Sequence, residues 1–87
     1  MILFPTSSFK SETADLPKKT QILLKKSLDL LLENYRHPSL QAKKLPGTDF
    51  WYARVDRSYR FTYQINKETI ILRRVGTHDI LTHERHL

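Results

Sequence analysis

Asp56-Arg57-Ser58-Tyr59-Arg60-Phe61-Thr62-Tyr63-Gln64-Ile65 is the stretch from which the fold is read. Phe61, Tyr63 and Ile65 alternate with Arg60, Thr62 and Gln64, a period of two that fits a strand with one buried face. Asp56-Arg57-Ser58 reads as the turn that delivers the chain into it. On the far side Asn66-Lys67-Glu68 forms a second turn, and Thr69–Val75 a further strand that Gly76 ends. On the near side Phe50–Val55, aromatic and β-branched, supplies the preceding strand. The C-terminal half is therefore a meander of three strands.

Moving toward the N-terminus, Ser39–Asp49 reads as a loop carrying Lys43, Lys44 and Pro46-Gly47. Before it the periodicity becomes helical: Leu24, Leu28, Leu31, Leu32 and Tyr35 recur at helix spacing and mark a buried stripe. This helix is expected to begin near Pro17, which suits a first turn, and to run to Arg36, where His37-Pro38 stops it. A shorter helix is expected over Phe9–Asp15, capped by Ser7 or Ser8. Met1–Pro5 reads as a short first strand that Pro5 ends. The expected order is β-α-α-β-β-β: a single α+β domain over residues 1–87, with two N-terminal helices packed on one face of a twisted, mainly antiparallel sheet. Leu24, Leu28, Leu31, Phe61, Tyr63, Ile65 and Leu72 are expected to be buried, and the segment holding His83 and His86 to be a polar, mobile tail.

Composition narrows the function. Fifteen Lys and Arg against nine acids give a net charge of +6, and the pI is near 9.8. A small domain this basic commonly meets a polyanion, nucleic acid first. A membrane surface, an acidic protein partner or plain solubility would satisfy the same arithmetic. The chain has no cysteine, which excludes disulfides and thiolate metal sites and fits a reducing compartment. The longest apolar runs, Met1–Phe4 and Leu30–Leu32, are far too short to span a bilayer, and Met1–Phe4 lacks the basic flank of a signal peptide.

The candidate chemical groups cluster on the strand half. Arg54, Arg57, Arg60, Arg73 and Arg74 are close enough in a meander to converge, and guanidinium forks match phosphate oxygens. Trp51, Tyr52, Tyr59 and Tyr63 are interleaved with them. Such rings can stack on unpaired bases, although aromatics in strands of a small domain are more often core. His78, just past the last strand, has a side chain suited to proton transfer near neutral pH. His37, His83 and His86 read as structural or merely exposed. No paired carboxylates at metal-ligand spacing and no glycine-rich phosphate loop occur, and the spacing of His83 and His86 is not that of a zinc protease. The chemistry left is metal-free RNA cleavage, in which the ribose 2′-oxygen attacks the adjacent phosphate. Arginine can stabilise the growing charge and histidine can protonate the departing 5′-oxygen. No residue stands out as the base.

These residues resemble a known family. Asp56–Ile65 resembles the strand of RelE-type toxins in which an arginine precedes a hydrophobic, polar, tyrosine run. Arg73-Arg74-Val75-Gly76-Thr77-His78-Asp79-Ile80-Leu81 is similar to the last strand of that superfamily, above all to its YafQ branch with Gly-Thr-His. Leu45-Pro46-Gly47 before the first aromatic strand fits as well. The resemblance implies a RelE-like fold and a cytoplasmic toxin of a type II toxin–antitoxin system. Such a toxin is a ribosome-dependent, metal-independent endoribonuclease. It cuts mRNA on the ribosome to leave 2′,3′-cyclic phosphate ends, has no small-molecule cofactor, and is silenced by a cognate antitoxin protein. It assigns Arg60 as the phosphate-stabilising arginine and His78 as the catalytic histidine. Lys43, Lys44, Arg54, Arg57, Arg73 and Arg74 are then expected to bind RNA. Ser58 stands near an acidic position of the YafQ branch, so that acid is absent here. The aromatic found near the C-terminus of several members has no clear match, with His83 and His86 nearest. Two other readings stay open: a ParE-like toxin that inhibits DNA gyrase on the same fold without the nuclease residues, and a non-enzymatic basic module that binds RNA or protein. Arg60 with His78 favours the nuclease.

Overall fold

The meander is present in the computed structural model, which describes residues 1–85, and it forms the centre of a five-stranded sheet. The elements are β1 (Ile2–Pro5), α1 (Ser7–Ala14), α2 (Lys18–Glu33), β2 (Lys43–Lys44), β3 (Trp51–Arg54), β4 (Tyr59–Asn66), β5 (Thr69–Thr77) and α3 (Ile80–Arg85), with a short 3₁₀ turn at Pro38–Leu40. The sheet order is β1-β5-β4-β3-β2. All pairings are antiparallel except β1 with β5, where Ile2–Pro5 runs parallel to Thr69–Leu72. The parallel pair is possible because α1 to β4 make one long crossover between the two strands.

Phe61 and Tyr63 are buried as the alternation requires, together with their cross-strand neighbours Ala53, Leu72 and Val75. Phe9 of α1 and Leu24 and Leu31 of α2 join them in one apolar cluster, so both N-terminal helices cover the same face. Thr6 caps α1: its hydroxyl accepts the Phe9 N–H and lies 2.9 Å from the Leu72 carbonyl oxygen. The expected Ser7 and Ser8 caps are instead the first two residues of that helix. Ser27 of α2 donates to the carbonyl of Arg54, which ties α2 to β3.

The α2 stripe is rotated from the one expected. Thr20, Leu24, Ser27 and Leu31 are its buried residues, Leu28 is half-buried, and Leu32 and Tyr35 are exposed. Counting only leucines misled the register, because two small polar residues, Thr20 and Ser27, occupy the closest approach to the sheet. The helix also stops at Glu33 rather than Arg36. Ile65 is half-buried rather than buried. The loop before β3 contains the two-residue strand β2, whose Lys43 and Lys44 pair with Tyr52 and Trp51. Gly76 lies inside β5 instead of ending it, and the segment after it is the helix α3 rather than a loose tail. His83 is on α3; His86 lies outside the described residues.

Leu31→Ala should cost about 2–5 kcal/mol in urea unfolding, whereas Leu32→Ala should stay within about 0.5 kcal/mol of wild type. Equal losses would put the α2 register in error. Burial pushes the Tyr63 phenol up to about 12 from 10.0. The folded state therefore favours the neutral ring, and this contribution to stability is intact below pH 10 and lost as the pH rises toward 12. An alkaline absorbance titration should show a late tyrosine step that Tyr63→Phe removes; an unchanged titration in the variant would contradict it.

Candidate functional site

Cross-strand register sets the cations side by side. Arg60, at the start of β4, pairs with Arg54 at the end of β3 on one side and with Gly76 on the other. Paired residues share a sheet face, so Arg54 and Arg60 lie together on the face opposite α1 and α2. Thr77 pairs with Tyr59, and His78 follows directly as β5 ends, exposed to solvent. Arg54, Arg60 and His78 thus belong to one end of the sheet. Arg57 is exposed in the turn between β3 and β4 at that same end. Lys43, opposite Tyr52, lies one strand further out and is exposed, as is Lys44.

The turn that carries Arg60 is built by Asp56. Its carboxylate accepts the N–H groups of Ser58 and Tyr59, both at 2.8 Å. Arg60 is half-buried, and its Nη1 donates to the carbonyls of Asp56 and Tyr59. A guanidinium has five N–H donors; those on Nε and Nη2 make no hydrogen bond among the described residues and remain for a ligand. The guanidinium is thereby held through Nη1 while its Nε and Nη2 edge stays available.

Arg73 and Arg74 differ from the other cations, because each is tied to a carboxylate. The β4–β5 ladder shifts register between Thr62 and Tyr63: Thr62 pairs with Arg74 and Tyr63 with Leu72, which leaves Arg73 as the extra residue of a β-bulge. Arg74 donates through Nε to Glu12 of α1 at 2.8 Å, and its Nη2 is 2.7 Å from the same carboxylate. That hydrogen bond drives the Arg74 pKa still higher, with the Glu12 and Glu84 charges adding to it and burial opposing it. Glu12 also accepts the Val75 N–H, which lies beyond the end of β1 and has no strand neighbour on that side. Arg73 donates through Nε to Glu84 of α3 at 2.9 Å, and its guanidinium carbon stands 3.6 Å from the Phe50 ring centroid. Glu84 is 0% exposed and also accepts the Thr62 hydroxyl at 2.8 Å.

Glu84, Glu12 and Asp56 were not singled out from the sequence. The available signal for Glu84 was helical spacing in the last segment, where Ile80, Leu81 and Glu84 fall on one side of a short helix. In the sequence Arg54, Arg57, Arg60 and His78 form one group with Arg73 and Arg74; the fold brings the first four to one end of the sheet and partners the charges of Arg73 and Arg74 inside the protein. The aromatic residues split as well: Tyr63 is core, and Trp51 lines a groove of about 670 Å³ between the end of α2 and the sheet, with Tyr35, Arg36 and His37. That groove lies on the helix-covered side, away from Arg60.

No family model and no curated protein matches the chain. Solved structures do. YafQ from E. coli strain BL21(DE3) superposes with a TM-score of 0.76 at 18% identity, over 91% of this chain and 94% of that one. A YoeB/ParE toxin from Agrobacterium tumefaciens gives 0.78 at 14% identity, over 90% and 99%. A chain of the intact E. coli RelBE toxin–antitoxin complex gives 0.72 at 28% identity, over 87% and 94%. The protein has the RelE-like α+β fold; its structural neighbours include a toxin and chains of the E. coli RelBE and DinJ-YafQ toxin–antitoxin complexes. No helix among the described residues is long and apolar enough to cross a membrane.

A Cβ at position 76 would meet Ile80 Cγ2 at 2.8 Å, so glycine is what lets α3 close on β5. Gly76→Ala should loosen α3 first: overpacking of about 1–3 kcal/mol should speed amide exchange at Leu81 and Thr82 about tenfold or more. Unchanged exchange there would show that the contact does not hold the helix.

Proposed function

From that shared fold as premise, we propose that the protein is the toxin of a type II toxin–antitoxin pair and an endoribonuclease that cuts mRNA on the ribosome. The observation that supports this most is the pairing of Arg60 with Arg54 at the end of the sheet where His78 leaves β5. In this reading the ribose 2′-hydroxyl loses its proton to solvent water as its oxygen attacks the adjacent phosphorus, and the P–O5′ bond breaks to leave a 2′,3′-cyclic phosphate. Arg60, using its free Nε and Nη2 donors, stabilises the negative charge gathering on the phosphate oxygens. His78 gives a proton to the departing 5′-oxygen. Arg54, Arg57, Lys43 and Lys44 hold the RNA backbone through charge and carry no sequence information. These roles of Arg60 and His78 call for no metal or small-molecule cofactor.

The partner follows from the same charges. A cytoplasmic protein of net charge +6 with an arginine pair on an open sheet face attracts an acidic segment, and complementary charge speeds the encounter. We take that segment to belong to a cognate antitoxin that covers Arg54, Arg60 or His78. Inhibition of DNA gyrase on the same fold is the competing activity, and it gives Arg60 and His78 no chemical role.

Arg60→Ala should lower cleavage about 10²–10³-fold, as for loss of one positioned electrostatic donor, and His78→Ala about 10²–10⁴-fold, as for loss of a general acid. Both variants should fold, bind the antitoxin and fail to arrest growth. Full toxicity in His78→Ala would remove that residue from the mechanism. Toxicity with intact mRNA and altered DNA supercoiling would replace the ribonuclease with the gyrase reading.

A further inference from the structure

The chemistry above makes no use of Glu84, which is fully buried although it sits on a six-residue helix at the end of the described chain. Its surroundings are those of an anion site. Arg73 presents a fork, with Nε 2.9 Å from one carboxylate oxygen and Nη2 3.3 Å from the other. Thr62 donates its hydroxyl to the first oxygen at 2.8 Å. The Phe50 ring against the guanidinium fixes the plane of the fork. Fork and hydroxyl are the donors that a phosphodiester would need, since carboxylate and phosphate present similar oxygens to arginine. The Arg73 side chain keeps 26% of its exposure, so the cluster borders solvent.

Its position matters as much as its chemistry. Thr62 is two residues beyond Arg60 on β4, on the same sheet face, and two strand residues span about 7 Å. One nucleotide step can bridge that distance.

We propose that Arg73 and Thr62 form a second phosphodiester-binding subsite beside Arg60, and that Glu84 is its internal occupant, displaced when RNA binds. This rests on the ribonuclease reading for the identity of the anion, but not for the existence of the site. The exchange is feasible on energetic grounds. A buried ion pair gains little over its desolvation cost, and a phosphate that takes the place of Glu84 leaves no unpaired buried charge at Arg73. The other anchors of α3 are few: Leu81 is buried and Ile80 half-buried. A helix of six residues does not persist alone, so α3 opens as a local unit without unfolding the sheet. While α3 is closed the subsite is filled, and apparent RNA affinity falls by the fraction of molecules that are open.

The test uses Glu84→Gln, which keeps the shape and removes the charge, with Glu33→Gln on exposed α2 as a control for net charge. The probes are inorganic phosphate and a single-stranded 2′-deoxy oligonucleotide, which lacks the attacking hydroxyl, at fixed ionic strength. Phosphate should raise the melting temperature of Glu84→Gln but not of wild type or Glu33→Gln. The oligonucleotide should bind Glu84→Gln at least about tenfold more tightly, a difference of about 1.4 kcal/mol. Adding Arg73→Gln should abolish both gains. In wild type, saturating oligonucleotide should speed amide exchange at Leu81 and Thr82, a readout that stands even if Glu84→Gln fails to fold. No phosphate gain, a gain that survives Arg73→Gln, or unchanged α3 exchange with oligonucleotide bound would overturn the subsite. A phosphate gain without oligonucleotide binding would reject RNA as the occupant while the anion site remained; cleavage on the ribosome is judged separately by the Arg60 and His78 variants.

Discussion

The bulge at Arg73 is the constraint on which the arrangement of this protein depends. A regular ladder would send consecutive residues of β5 to opposite faces and continue the pairing set by Phe61 with Val75. The extra residue breaks that continuity between Thr62 and Tyr63. Two adjacent arginines then reach two different helices, Arg74 to Glu12 of α1 and Arg73 to Glu84 of α3. Both faces of the sheet are secured at one place. The apolar cluster holds α1 and α2 as area burial would anyway. By contrast α3, with six residues, is held by one buried carboxylate, by Leu81 and by the close approach at Gly76.

Beyond the bulge the sheet ends in unpartnered cations. Glu12 and Glu84 neutralise the arginines in the middle of β5, while Arg54 and Arg60 at the end meet no carboxylate within ion-pair distance among the described residues. Charge is therefore sorted along the strand: internal pairs where the helices dock, free guanidinium where the sheet is open. Like charges set opposite each other on neighbouring strands are unfavourable, so the Arg54–Arg60 pair costs stability in the free protein. The Asp56 turn adds rigidity, because the Arg60 side chain is braced on two backbone carbonyls before any ligand arrives. A braced fork loses less freedom on binding than a free one.

Much of this was legible in the sequence. Phe61, Tyr63 and Ile65 declared the central strand by their period of two, and the turns on either side follow from it. The helices were legible as helices, but the buried face of α2 was not: Thr20 and Ser27 pack closest to the sheet, and polar residues carry no hydropathic signal. The helix α3 was obscured for a similar reason. Its key buried residue is a glutamate, and burial of Glu84 is decided by Arg73 and Thr62 across the sheet, which no local pattern encodes. Arg54, Arg57, Arg60 and His78 can be grouped from the sequence, because a meander brings all four to one end of the sheet. The pairing of Arg73 and Arg74 depends on a one-residue register shift, and hydrophobic alternation does not specify on which strand such a shift falls.

The proposed ribonuclease stands or falls with attack by the ribose 2′-oxygen, which Arg60 would serve at the phosphate and His78 at the departing 5′-oxygen. The most direct measurement is cleavage of an mRNA held on purified ribosomes, first with ordinary ribose throughout and then with a single 2′-deoxy nucleotide at the cut position. The account predicts a cut that leaves a 2′,3′-cyclic phosphate in the first message and none at that position in the second. Equal cleavage of both messages, or no cleavage of either by the wild-type protein, would contradict it.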